Sequence, residues 1–210
     1  MKPGGVVNLK KINGLDFLVK NKLLILMCLS FVIGVIVSTL YFSGGTRAAV
    51  ISEKLFGNYM YDRQHGGFAA IMFSVLLKYF IVCLSFFVLG TSVIGVVLAP
   101  VTCCGLGLYF GTLASYSYSA FSLKGIAFNS VILIPPALIF IFCAFFAAKE
   151  AFAFSSVLLK LTLPKSRPLN VSENFKLYCG KFLIVLALMT AAALVDAVVS
   201  VSFLDYFNIL

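Results

Sequence analysis

The sequence predicts an all-α, multi-pass transmembrane helical bundle of about five spans, with short interfacial amphipathic helices. Three observations lead there. Of 210 residues, 62% are hydrophobic and only 11% charged, where a soluble domain carries about 25% charged residues. Such a chain has too few charges to cover a water-facing surface, and its mean hydropathy is +1.10. The apolar residues also fall in runs near membrane-crossing length, and the basic residues mostly flank those runs. The net charge of +9 is therefore read as loop charge near lipid head groups, and no nucleic-acid partner is expected.

The whole chain, 1–210, reads as one integral membrane domain. Its N-terminal segment is basic, with Lys2, Lys10, Lys11, Lys20 and Lys22 against Asp16. A short helix from about Leu9 to Val19 is expected at the interface. Residues 23–42 carry no formal charge and at 1.5 Å per residue cross about 30 Å, the hydrocarbon thickness. A cleaved signal peptide is the rival reading of this run. The more polar stretch 43–78 forms an outer loop, with Arg47 to Phe56 as an amphipathic helix and Gly57-Asn58 and Gly66-Gly67 as breaks.

Two frames compete for the second span. One, Phe68 to Leu89, buries Lys78 near its middle. The other, 79–98, leaves Lys78 at the head groups. A lysine at midplane costs roughly 3 kcal/mol on the insertion scale, so the second frame is preferred. From Tyr79 to Ser122 there is no charge, enough for two spans. Pro100 is the expected break, and the third span runs 101–118. Lys124 marks the next connection. The fourth span, 126–148, contains Pro135-Pro136, which should kink it and free backbone carbonyls. A cytoplasmic linker, 149–181, begins with an amphipathic extension, and the fifth span runs 182–203.

Basic residues set the orientation. With the N-terminus inside, five spans place the lysines before the first span together with Lys149, Lys160, Lys165, Arg167, Lys176 and Lys181. That is eleven of the 16 basic residues, which predicts N-in and C-out.

The intramembrane residues suggest packing more than chemistry. Gly107, Gly111 and Ser115 recur every four residues, as do Gly34 and Ser38, a spacing that lets helices approach closely. Gly90, Gly95 and Thr91-Ser92 fall inside the expected second span, where an unwound turn is the transport-site alternative. Asn129 is a buried polar residue expected to hydrogen-bond across the bundle. Asp196 is the carboxylate deep in a span. It must face the bundle, take a proton or find a partner; Thr91, Ser92, Asn129 and the carbonyls before Pro135 are the candidates. The six cysteines show no CxxC or zinc spacing. His65 is the single histidine and no HExxH, paired-carboxylate or P-loop motif is present. No catalytic residue, metal site or cofactor is expected. Contacts with other proteins are expected on the outer loop, at Arg47, Asp62 and Arg63.

The segment from Lys78 to Ser155 resembles the stage II sporulation protein M family of bacterial integral membrane proteins. The resemblance rests on Phe87-Val88-Leu89-Gly90-Thr91-Ser92-Val93-Ile94-Gly95, on Gly105-Leu106-Gly107-Leu108-Tyr109-Phe110-Gly111, on Lys124-Gly125 and on Ile134-Pro135-Pro136-Ala137-Leu138-Ile139. The doubled proline and the Phe128-Asn129-Ser130-Val131 stretch depart from the family pattern. The resemblance implies a non-enzymatic scaffold of the bacterial cytoplasmic membrane. Such a scaffold anchors peptidoglycan-degrading partners that thin the septal wall during engulfment in sporulation. The alternative is a permease-like subunit of an ATP-driven transport system, and a helix bundle with a lipid-related role is a third possibility.

Overall fold

A computed structural model describes residues 22–42, 46–64, 66–162 and 171–207. The basic segment before Lys22 with its expected interfacial helix, His65, and the linker residues 163–170 lie outside the described residues. The described chain is helical with no strand. The helices are α1 (Lys22–Phe42), α2 (Thr46–Gln64), α3 (Phe68–Gly90), α4 (Gly95–Phe128), α5 (Ile134–Leu161) and α6 (Val171–Phe207). A π-helical turn, Asn129–Leu133, joins α4 to α5.

Four continuous helical stretches are long and apolar enough to cross a membrane: Lys22–Tyr41, Phe68–Gly90, Gly95–Leu161 and Ser172–Phe203. The third, at 67 residues, would be about 100 Å long if straight, far beyond one bilayer. It doubles back at Ser122, where the backbone reaches φ 50°, ψ −122°. A methyl on Gly125 would collide with the Ser117 carbonyl, so the two arms touch directly beyond the bend. The bundle therefore offers five crossing segments. Their directions alternate: Ser30 meets Pro100 and Ser38 meets Thr112, so α1 runs parallel to the first arm of α4. Tyr178 meets Phe87 and Asp196 meets Tyr79, so α6 runs antiparallel to α3.

Ser122 pays the steric cost of a Cβ in a backbone region that suits glycine. It is solvent-exposed, so a change there removes no packing. Ser122→Gly should raise stability by about 1 kcal/mol, read as a higher melting temperature in detergent. A lower melting temperature would mean the hydroxyl does more for the bend than glycine's freedom.

Several boundaries differ from the sequence expectation. The second apolar helix is Phe68–Gly90, not 79–98. The break lies at Thr91–Ile94 rather than at Pro100, because two side chains from elsewhere hold that turn. The Tyr178 hydroxyl donates to the Phe87 carbonyl at 2.8 Å and the Ser155 hydroxyl to the Ser92 carbonyl at 2.5 Å. Pro100 instead sits early in α4, and its carbonyl accepts from Ser30 at 2.7 Å. Gly90, Thr91, Ser92 and Gly95 thus form a connection and not an unwound point within a span.

The fourth and fifth spans also extend past the expected 126–148 and 182–203. α5 continues to Leu161 and α6 begins at Val171, so much of the expected 149–181 linker is a helical hairpin. Phe154 stacks on Tyr178 with ring centroids 4.6 Å apart, and Lys181 pairs with Glu150 at 2.7 Å. The residues after Lys149 therefore pack against α6 instead of lying along a membrane surface. Pro135 and Pro136 produce a π turn: the Ile134 N–H bonds the Asn129 carbonyl five residues back, which accommodates two residues that cannot donate. All six cysteines are free thiols.

Candidate functional site

Polar helix α2 is the element that makes a site. Ser52, Phe56, Tyr59, Met60 and Arg63 are all buried and recur at three- and four-residue steps, one face of a helix. The upper part of that face packs on aromatic residues around the Ser122 bend. Phe56 meets Tyr116, Phe121 and Phe128 with centroids 5.1, 5.8 and 5.7 Å away. The stripe ends in Arg63, which is only 5% exposed.

Arg63 reaches Asp196 of α6. Its Nη2 donates to Asp196 Oδ2 at 2.6 Å and to Oδ1 at 2.8 Å. Its Nε donates to the Ser200 hydroxyl at 3.2 Å, and its Nη1 to the Tyr59 carbonyl at 3.0 Å. Ser200, one turn along α6, donates to Asp196 Oδ1 at 3.1 Å. Tyr79 of α3 donates to Oδ2 at 3.4 Å. The guanidinium also lies over the Tyr59 ring, 3.6 Å from its centroid, a favourable cation–π placement. Three helices thus meet in one buried polar network.

The electrostatics follow from burial. Burial lowers the proton affinity of Arg63, but Tyr59 and Asp196 more than restore it, so its pKa lies above its ordinary value. Burial raises the Tyr59 phenol well above its ordinary value, against the opposing pull of Arg63. The phenol is therefore neutral at physiological pH. A buried charge without a partner is expensive, and a paired one is tolerable when its remaining donors are also satisfied. Here that condition is met on both sides. Asp196 accepts from Arg63, Ser200 and Tyr79, which engages its lone pairs and makes it the counter-charge of Arg63.

Beside the network lies a cavity of about 380 Å³, within the range of small-ligand sites. Its lining includes the buried Tyr59, Arg63 and Asp196, the buried Val75, Pro136 and Phe140, and the exposed Asn58 and Lys78. Tyr79 and Phe140, both among its lining residues, stack on each other with ring centroids 4.0 Å apart. Lys78, expected at the head groups, lies in the middle of α3. Its cost falls because it lines a cavity shared with Asn58, Arg63 and Asp196 instead of facing lipid alone.

The sequence-derived candidates fall in different places. Arg63, expected on an exposed partner surface, is buried against Asp196, which removes it from that role. Arg47 and Asp62 lie on α2, and their side chains are outside the described residues. Asp196 is buried as expected, but its partner is Arg63 and not Thr91, Ser92, Asn129 or a carbonyl before Pro135. Asn129 is buried and its Nδ2 donates to the Ala114 carbonyl at 3.3 Å, while its Oδ1 meets no partner among the described residues. Pro136 lines the cavity and Pro135 precedes it at the start of α5.

Gly107 and Gly111 lie against α1, and Ser115 follows one turn later, half-buried. A methyl on Gly107 would strike the Phe31 carbonyl, and one on Gly34 the Cys104 carbonyl. Ser38 and Thr112 share a hydrogen bond of 3.0 Å beside them. The two small-residue faces read from the sequence thus meet each other.

The arrangement missed from the sequence, Tyr59 with Arg63 on the buried face of α2, had a local signal. Phe56, Tyr59, Met60 and Arg63 keep helical spacing straight through Gly57-Asn58, so the helix continues where a break is expected. No protein-family model, curated protein or solved structure matches the chain.

Proposed function

We propose that the chain is a non-enzymatic scaffold of the bacterial cytoplasmic membrane that recruits peptidoglycan-degrading partners during septal wall thinning and engulfment. One observation supports it above the rest. Helix α2, too polar to cross a membrane, is fixed to the bundle by the Arg63–Asp196 pair and the Phe56 aromatic cluster. Its opposite face, with Val50, Ile51, Glu53 and Lys54, is exposed. A helix held rigidly on one face and open on the other loses little entropy when it binds a protein.

The orientation is part of this reading: N-terminus inside and C-terminus outside, with α2 on the outer side. The distribution of basic residues favours it. Reporter fusions after residues 60, 122, 165 and 210 should read out, out, in, out. A cytoplasmic reading at 60 would put α2 on the wrong side for wall enzymes. Affinity purification of the intact chain from sporulating membranes should carry a wall hydrolase with it, and Val50→Lys with Ile51→Glu should release that enzyme. Normal retention by this variant would reject the α2 surface.

The cavity favours a second reading, a permease-like subunit of an ATP-driven transport system. In that case the α5–α6 hairpin, with Lys149, Lys160, Lys176 and Lys181, would be the docking end for a nucleotide-binding subunit. Copurification of such a subunit, lost on hairpin substitution, would select this reading over the scaffold.

A further inference from the structure

We infer that the 380 Å³ cavity and an apolar groove that shares its wall together hold the hydrocarbon chain of an uncharged membrane lipid. This goes beyond both readings above and depends on neither.

The groove has a volume of about 180 Å³ and is formed by α1, the first arm of α4 and the start of α5. Among the described residues its lining side chains are all apolar. Two of them, Ile134 and Leu138, are 42% and 51% exposed on a segment long and apolar enough to cross a membrane. Gly111 and Ile134 both line the groove. They stand about 17 Å before and about 18 Å after the Ser122 bend at 1.5 Å per residue. The two arms therefore carry the groove to one depth, within a hydrocarbon layer of about 30 Å. In a bilayer, lipid chains lie against such a face.

The groove adjoins the cavity. Phe110, Leu133 and Ala137 line both, so the two spaces lie on either side of the same three side chains. Phe110 is only partly buried, and a turn of its ring joins them. The cavity is thus supplied from the membrane and not only from water.

The polar residues of the cavity set the charge of the ligand. Tyr59, Arg63 and Asp196 are buried in its lining, together with Tyr79. Arg63 gives Nη2 to both Asp196 oxygens, Nε to Ser200 and Nη1 to the Tyr59 carbonyl. Ser200 and Tyr79 complete the bonding of Asp196. The pair is neutral as a whole. An ionic head of either sign gains little beside it and loses its own hydration. Val75, Val82, Leu106 and the stacked rings of Tyr79 and Phe140 share the lining, and they offer dispersion contacts to a hydrocarbon chain. A chain ending in a hydroxyl or ester meets both surfaces without bringing a charge.

The test uses the full chain in phosphatidylcholine nanodiscs and, as probe, dodecanol carrying a photoreactive diazirine. Unlabelled dodecanol, dodecyl phosphate and dodecyltrimethylammonium compete with it. Saturable labelling is expected, with adducts on α4 and α5 at residues that line the cavity or the groove. Dodecanol should compete at least tenfold better than either ion. The phosphate also tests whether Lys78, an exposed lining residue, draws an anionic head. Ile134→Phe narrows the groove and Val82→Phe the cavity, and neither alters a charge. Each should weaken binding at least tenfold. Circular dichroism melting checks that both variants are folded. Should either fail to fold, the adduct positions and the preference for the uncharged chain in the unaltered protein still decide the matter. Absence of saturable labelling, adducts confined to residues outside both linings, an ion competing as well as dodecanol, or unchanged affinity in either folded variant would overturn the proposal.

Discussion

Replacing Asp196 with leucine should lower stability by about 3 to 5 kcal/mol, the usual result of stranding a buried charge. The reasoning rests on what remains after the change. Arg63 is almost fully buried and sends two hydrogen bonds to this one carboxylate. Leucine fills the space but accepts neither bond. Arg63 must then either lose its counter-charge in place or leave, and if it leaves, α2 loses its anchor on α6. Asp196→Asn keeps one acceptor and the side-chain shape, so its loss should be smaller. The double change Arg63→Met with Asp196→Leu should recover most of the stability, because two apolar side chains owe each other nothing. Unfolding in detergent of the unaltered chain, Arg63→Met, Asp196→Leu and the double variant, followed by circular dichroism, gives the four corners of the cycle. If Asp196→Leu melts like the unaltered chain, the pair does not anchor α2. If the double variant is no better than the single, the loss comes from packing and not from charge.

The same network separates what can be read from a membrane sequence and what cannot. Hydropathy located the apolar runs because lipid demands internally bonded backbone and apolar side chains over a fixed length. The polarity of Asp196 within such a run predicted a buried, partnered carboxylate. Its partner was not legible, because Arg63 is contributed by a helix too polar to be counted as part of the bundle. Sequence distance adds to the difficulty: residues 63 and 196 meet only after every crossing segment has been placed.

The frame of the second span failed for a related reason. Excluding Lys78 from the membrane treats every lysine at that depth as facing lipid, whereas Lys78 lines a cavity that α2 and α3 share with α4, α5 and α6. That choice moved the span eleven residues along and turned Pro100 into a boundary. The true boundary is held by Tyr178 and Ser155, residues far along the chain. The bend at Ser122, by contrast, falls between the expected third and fourth spans, where Lys124 marks a connection.

The spacing of small residues, by contrast, had a direct structural counterpart, and it supports the second large effect. Gly107→Ala should destabilise the chain sharply, although alanine favours an isolated helix by about 1 kcal/mol. The reason is the parallel contact between α1 and α4. At this crossing the obstacle to a methyl group is the Phe31 carbonyl, with the Val35 amide nitrogen next to it. Backbone cannot swing aside like a side chain, so the helices must separate along their whole contact. That separation would also pull apart the Ser38–Thr112 and Ser30–Pro100 hydrogen bonds. Overpacking in a yielding core costs about 1 to 3 kcal/mol, and a rigid obstacle puts this site at the upper end of that range. Gly111→Ala should cost less, since the nearest atoms there, Ser38 Cβ at 3.0 Å and Val35 Cα at 3.1 Å, stand further off than the Phe31 carbonyl oxygen does from Gly107. Gly105 provides the control. It lies on the same arm, and a methyl there meets nothing within 4 Å, so Gly105→Ala should be neutral or slightly stabilising. Melting temperatures in detergent should therefore fall in the order Gly105→Ala, Gly111→Ala, Gly107→Ala, from highest to lowest. Equal values for the Gly105 and Gly107 variants would show that α1 stands further from α4 than the contact at Phe31 requires, and the close parallel packing of these two helices would have to be abandoned.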